Sequence, residues 1–493
     1  MRLRRDMGRG VALAVLLGLA GSVVAAPAMA NEPTTGLAWG ACPEDVETAT
    51  VVLQCATVPV PLDYSEPGSG WIEIMVSRLA STNPGKRRGV LMLNPGGPGG
   101  SGLSFPGDLA SRGMPASVLD SYDVIGMDTR GIGHSSPVSC GFTAEQGYLG
   151  NIPPYAADDA AVAEQAKIAK GVAEQCAAND KDGRLRHLST ANMARDLDRI
   201  RVALGEEKTS FLGYSYGSAL GAAYASMFPE RSDRIVVDSN IGDTHLDQAG
   251  MRRFALGAEE TFPDFATWAA ARHETYGLGR TPEEVRQTYF TLAERLDKSP
   301  VNGIDGRVFR LATFVGLYGK TKYGLTAQGW QSVRDGDEAG ASQLAAVAAT
   351  PSPVDNAWSV FIAVTCNDVE WPSDVRTYQR AVAEDRERYP LYGAASANIT
   401  PCAFWPYEPA EPPVAVNDKG PANVLVVQNR RDPVTPHRGG ELLDEKFGDR
   451  SRLVSVDGSG HGVYALGDNA CALNTTTSFL VDGKLPQHDM SCE

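Results

Sequence analysis

Short apolar runs that alternate with helix-periodic stretches constrain the fold of this chain more than any other feature. Residues 71–79 (WIEIMVSRL), 89–94 (GVLMLN), 122–127 (YDVIGM), 209–214 (TSFLGY) and 234–238 (RIVVD) read as strands. Residues 190–204 carry apolar side chains at helical spacing, and residues 217–228 form an Ala-rich helix ending near Pro229. Strands separated by helices imply an α/β fold, a mainly parallel sheet with helices on both faces. The alternation then stops. From about 244 to 412 the sequence is helical and rich in Trp and Tyr, and it ends in a Pro-rich stretch, 401–413, that reads as a linker. It resumes with a strand at 423–428, a helix near 437–447, a strand at 452–456 and a last helix near 470–480. At 493 residues the chain is too long for one compact core. The expected division is therefore a first core segment over 31–243, a large helical cap insertion over 244–412 and a second core segment over 413–493.

Residues 1–30 read as a secretory signal peptide. Arg2, Arg4, Arg5 and Arg9 precede an apolar stretch from Val11 to Ala26, and Ala28-Met29-Ala30 fits a small-residue cleavage site. The expectation is an exported protein, free outside the cell or held at its envelope, without stable membrane insertion after processing. Removing that segment takes the net charge from −15 to −18, because four Arg and one Asp leave with it. Such an acidic chain repels phosphate backbones, so nucleic-acid binding is not expected. All eight cysteines follow the cleavage site. An even number in an exported chain points to disulfides, and pairing sequence neighbours gives 42–55, 140–176, 366–402 and 471–492. No pair has zinc-site spacing, so no metal is expected.

The segment Gly213-Tyr214-Ser215-Tyr216-Gly217 closes a strand and opens a helix. A GxSxG alone is a weak signal, but a strand–turn–helix around it is what a nucleophile elbow requires. A serine hydroxyl needs a base to take its proton, and in this layout the order along the chain is Ser, acid, His. Of seven histidines, His437, His461 and His488 follow the insertion; only His461, in GSGHG, sits in a Gly-rich loop after a strand. Asp432, just past the 423–428 strand, is the expected acid, with Asp238 in reserve and Asp457 behind it. Residues 94–102 (NPGGPGGSG) follow a strand where a backbone N–H can serve an oxyanion hole. Gly97 is the first choice there, Gly96 the second, and Tyr216 supplies the other donor. The loop Asp128–Ser135 reads as scaffold, with Asp128 and Arg130 tying neighbouring loops and His134 outside the chemistry.

Taken together, NPGGPGGSG, MDTRGIGHS, GYSYGS, NRRDPVTP and GSGHG resemble the secreted tripeptidyl aminopeptidases, relatives of the proline iminopeptidases among the α/β hydrolases. The resemblance spans essentially the mature chain. It implies an α/β-hydrolase fold, a Ser215–Asp432–His461 triad and release of tripeptides from free N-termini of peptides or proteins, with no cofactor. Asn94-Pro95 stands where proline iminopeptidases carry His before the Gly-Gly-Pro-Gly run, which favours the tripeptidyl branch. Recognition of a free amine calls for carboxylates near the acyl site. Glu370 and Asp368, in the insertion beside Cys366, are the candidates. Two other readings share the motifs: a secreted carboxylesterase or lipase with the same triad, and a non-catalytic binding protein of the same fold.

Overall fold

The computed structural model describes residues 36–48, 50–143, 146, 152–301, 303–337 and 354–493. The expected signal peptide lies outside them. Among the described residues one ten-stranded sheet has the order β1-β2-β3-β5-β4-β6-β7-β8-β9-β10. Its strands are β1 (Gly40–Ala41), β2 (Gln54–Pro61), β3 (Trp71–Leu79), β4 (Gly89–Asn94), β5 (Tyr122–Met127), β6 (Thr209–Tyr214), β7 (Ser232–Asp238), β8 (Val424–Arg431), β9 (Ser451–Ser459) and β10 (Met490–Cys492). The first three pair antiparallel, and β3 joins β5 antiparallel. From β5 to β10 every ladder is parallel.

The parallel strands are buried on both faces, which is why they read as continuous apolar runs. Alternate residues serve two cores. Met92, Phe211, Val237 and Val426 pack on one side, with Leu197 and Ile200 of the helix Thr190–Ala203 and Leu220 of the helix Tyr216–Met227. Leu93, Leu212, Val236 and Val427 pack on the other, with Leu109 of the helix Phe105–Arg112 and Phe479 of the helix Ala470–Asp482. The chain builds outward from β4 in both directions, so β5 and β6 flank it. That reversal opens a crevice beyond the carboxyl ends of β4 and β6, where α/β sheets place their ligands.

Between β7 and β8 the chain forms the helices Gln248–Ala270, Pro282–Lys298, Gly306–Gly316, Tyr323–Asp335, Val354–Asp368 and Val375–Arg388. Their aromatic side chains form a packed cluster: the Trp330 ring centroid lies 5.2 Å from that of Phe265 and 5.4 Å from that of Phe309. The Trp330 indole donates to Thr313 Oγ1 at 3.0 Å, so the polar edge of this fully buried ring is satisfied. The Pro-rich stretch is not a loose linker. Residues Pro401–Phe404 form a 3-10 turn, Cys402 is bonded to Cys366, and the Trp405 indole donates to Asn367. All four disulfides join sequence neighbours: Cys42–Cys55, Cys140–Cys176, Cys366–Cys402 and Cys471–Cys492. Among the described residues no helix is long and apolar enough to cross a membrane.

Candidate active site

Ser215 stands between β6 and the helix Tyr216–Met227 with φ 57° and ψ −123°. A non-glycine residue at positive φ is strained and persists only where its surroundings hold it. Here its N–H donates to the Asp238 carbonyl at 3.0 Å, and its carbonyl accepts from Ser218 N and Oγ. The flanking glycines leave room for the turn. A Cβ at Gly213 would collide with the Gly217 carbonyl, and one at Gly217 would lie 2.7 Å from the Asn94 carbonyl. Tyr214 and Tyr216 are buried while Ser215 stays partly open.

The loop after β4 lies directly against this turn. A Cβ at Gly96 would meet Tyr214 O at 2.5 Å, Ser215 Cβ at 2.8 Å and Tyr216 N at 3.2 Å. The Gly96 N–H donates to Asn94 Oδ1 at 2.9 Å. That N–H is therefore occupied. Asp128 fixes the loop: Oδ1 accepts from Ser101 Oγ and Gly102 N, and Oδ2 accepts from His134 N. Arg130, fully buried, forms a two-pronged pair with Asp196 at 2.7 Å on each prong. We expect Gly96→Ala to lower kcat by roughly a hundredfold, since displacement of about 1 Å at a reacting group costs that much. Steady-state kinetics beside a thermal melt would separate this from unfolding.

Asp432 follows β8, past a register shift between Asn429 and Arg431. It is fully buried, and donors surround it: Val434 N and Thr435 N reach Oδ1 at 2.9 and 3.0 Å, and Thr435 Oγ1 reaches Oδ2 at 2.8 Å. The same carboxylate meets His461 Nδ1 at 2.9 Å through Oδ2 and 3.1 Å through Oδ1. Burial pulls the imidazole toward neutrality, but the charge and hydrogen bond of Asp432, aided by the charge of Asp238, raise its pKa above the ordinary value.

The His461 loop is pinned by Tyr318 and Ser239, which the sequence does not single out, and by Asp238, the reserve acid. Its own N–H donates to the Tyr318 carbonyl at 2.8 Å, and the Tyr318 ring stands edge-on at 5.5 Å. Gly462 N donates to Ser239 Oγ, and Val463 N and Tyr464 N donate to the Asp238 carboxylate. Asp238 is thus bonded to the backbone of the loop rather than to the imidazole, and its burial pushes its pKa up to about 7. Asp457 pairs with Arg431 instead. Of the three aspartates considered, Asp432 is the one hydrogen-bonded to the ring. Ser215 and the His461 loop share Asp238 as an anchor, although no hydrogen bond joins Ser215 Oγ to the imidazole among the described residues; such bonds often tighten only when substrate is bound. His437 bonds Ser455 Oγ and His134 bonds Asp45, both away from this pair.

The two candidate amine-binding carboxylates are placed differently. Asp368 is buried, with Thr190 N on Oδ1 at 2.7 Å and Thr190 Oγ1 on Oδ2 at 2.5 Å. Burial pushes its pKa to about 7. Thr190 Oγ1 in turn lies 2.6 Å from the Tyr216 hydroxyl, so Asp368 braces the residue after the nucleophile. Glu370 is exposed. Nothing in the local pattern around Tyr318, Thr190 or Asp238 marks these contacts, which arise only when distant segments pack.

Comparison with known proteins fits this geometry. Residues 389–492 match the family model for TAP-like protein. A tripeptidyl aminopeptidase of Streptomyces lividans is 34% identical over 481 residues, 95% of this chain and 88% of the relative. The chain belongs to the tripeptidyl aminopeptidase family. It is accordingly a serine hydrolase with peptidase relatives, and its sheet and helices are those of the α/β-hydrolase fold. Serine protease Hip1 of Mycobacterium tuberculosis is 30% identical, covering 89% of this family member and 87% of the relative. Carboxylesterase B of the same organism is 29% identical over 96% and 92%. A proline iminopeptidase structure from Mycobacterium smegmatis covers 86% of this chain and 98% of its own, at 16% identity and a TM-score of 0.39.

Proposed function

We propose that this chain is an exported exopeptidase that releases tripeptides from free N-termini through an acyl-enzyme. The hydrogen bond from His461 Nδ1 to the buried Asp432 carries the reading, because it sets the imidazole as a base at the sheet edge where the Ser215 turn emerges. Ser215 Oγ attacks the carbonyl of the third residue as His461 Nε2 takes its proton. The N–H groups of Gly97 and Tyr216 hold the oxyanion. His461 then protonates the departing amine, and a water molecule, deprotonated by the same imidazole, hydrolyses the ester. No step calls for a metal or an organic cofactor. Glu370, exposed and uncommitted, is the group we assign to the substrate ammonium; Asp368 already has Thr190 on both oxygens. Export is supported by the basic and apolar start of the chain and by four disulfides.

A free-amine Ala-Ala-Pro chromogenic substrate should be cleaved well, and its N-acetylated form and a single-residue analogue poorly. Equal rates on the acetylated form would remove the claim of amine recognition. The carboxylesterase B relative supports a second reading, an esterase with the same residues. Fast turnover of short acyl esters with negligible peptide cleavage would select it.

The imidazole sets the pH profile. A protonated His461 cannot accept the Ser215 proton, so activity falls as pH drops through its pKa. Because Asp432 raises that pKa, the acid limb of kcat/KM should lie above the ordinary imidazole value of 6.5. A limb at or below that value would show that the Asp432 charge does not reach the base.

A further inference from the structure

Proton transfer in such a site has a direction. The proton that His461 accepts from Ser215 must go to the nitrogen of the departing chain. That nitrogen therefore passes within hydrogen-bonding distance of the imidazole, and the residue that carries it is brought beside the His461 loop. Beside that imidazole the structure holds a cavity of about 340 Å3, bounded on one side by Tyr318, Gly319 and Lys320 and on the other by the His461 loop and Leu466. Ser215 does not line it. The two walls are bonded to each other through His461 N–H and the Tyr318 carbonyl. Its volume falls within the roughly 300–1,000 Å3 of small-molecule sites.

Leu466 is the exposed apolar side chain of a lining that also carries Lys320, Asp457 and Asp468. It is one of the few large hydrophobic side chains that are exposed among the described residues, at 36%. It packs against the backbone of the catalytic-loop glycine, since a Cβ at Gly462 would lie 2.7 Å from Leu466 Cδ1. An apolar side chain left in water beside a catalytic base gains by being covered, and the group that arrives there during turnover is the departing chain.

Resting on the exopeptidase reading, we propose that the cavity between Tyr318–Lys320 and Leu466 is the leaving-chain subsite, which takes an apolar side chain on the first residue after the cleaved bond. It makes the enzyme selective for the residue on the C-terminal side of the bond as well as for the free N-terminus.

The test uses the full-length protein and peptides Ala-Ala-Pro-Xaa-Ala with Xaa Leu, Ala, Gly or Asp, each with a free and an acetylated N-terminus. Wild-type kcat/KM should favour Leu over Gly by about tenfold or more, the discrimination an apolar pocket supplies. Leu466→Asp should bring that ratio near one, and Leu466→Ala should fall between. Unchanged labelling of Ser215 by a fluorophosphonate confirms that the variants are folded. An unaltered Leu-to-Gly ratio in an active Leu466→Asp enzyme overturns the subsite, as does a wild type indifferent to Xaa. Free and acetylated peptides report separately on amine recognition, so a loss of that selectivity with a retained Xaa preference removes the exopeptidase reading alone. Absence of any peptide cleavage overturns both.

Discussion

Ser215→Ala should lower kcat by about 10⁴- to 10⁶-fold, the range seen when a serine nucleophile is removed and only the oxyanion hole and binding remain. The same change should abolish fluorophosphonate labelling. Stability should scarcely move. The Ser215 hydroxyl makes no hydrogen bond to the imidazole, and the turn is held by backbone contacts to Asp238 and Ser218 that alanine retains. A normal melting transition with an inert protein is the expected pair of results. An alanine variant that hydrolyses substrate at a rate near wild type would move the chemistry to another residue and exclude the acyl-enzyme.

Asp432→Asn should cost about 10⁴-fold in kcat, comparable to the loss when a triad aspartate becomes an amide. The local hydrogen bonds explain why so small a change is so severe. Val434 N and Thr435 N both donate to Oδ1, so an asparagine must keep its oxygen there. Its NH2 then takes the place of Oδ2, 2.9 Å from His461 Nδ1, and presents a donor where an acceptor stood. The ring must answer with a bare Nδ1 and a protonated Nε2, which is the wrong tautomer for taking a proton from Ser215. Thr435 Oγ1, which now donates to Oδ2, can turn to accept from the amide, so the fold should tolerate the change. The signature is a large loss of kcat, a small change in KM and residual activity whose acid limb is shifted down. A loss below about tenfold would mean that Asp432 only holds the loop.

Most of the central sheet is legible in the sequence because its strands are buried on both faces and announce themselves as apolar runs. The strands expected over 71–79, 89–94, 122–127 and 209–214 have those bounds, and the later ones are longer by a few residues at their ends. β2 escapes such a reading. Pro59 and Pro61 lie within it, and proline argues against a strand interior because it cannot donate to a ladder. β1 and β10 are two and three residues long, below what any pattern can register. The 21-residue helix Asp159–Asn179 escapes as well. Three of its seven buried residues are alanine, Ala166, Ala169 and Ala173, and a fourth is Gln165, so the contrast between its faces is weak.

The site divides along the same line. Ser215 and His461 stand in Gly-rich turns at strand ends, and the need for a sharp turn is written in the neighbouring glycines. The contact of Asp432 with the ring agrees with chain order. Asp238 is a candidate acid because it ends a strand, yet it serves as an anchor, a difference that depends on where the backbone of residues 463 and 464 passes. Asp368 is suggested by its proximity in sequence to a cysteine, and that cannot reveal which of its oxygens are already taken.

The bond from His461 N–H to the Tyr318 carbonyl bears on attempts to engineer this scaffold. The helical segment leaves the sheet after β7 and returns at β8, neighbouring strands, which invites its exchange for another enzyme's lid. Such a chimera would discard an acceptor that holds the imidazole-bearing backbone in place. A graft that keeps the short Leu317–Gly319 path and replaces the helices around it should stay active, whereas one joined cleanly at the two strand ends should fold and turn over slowly.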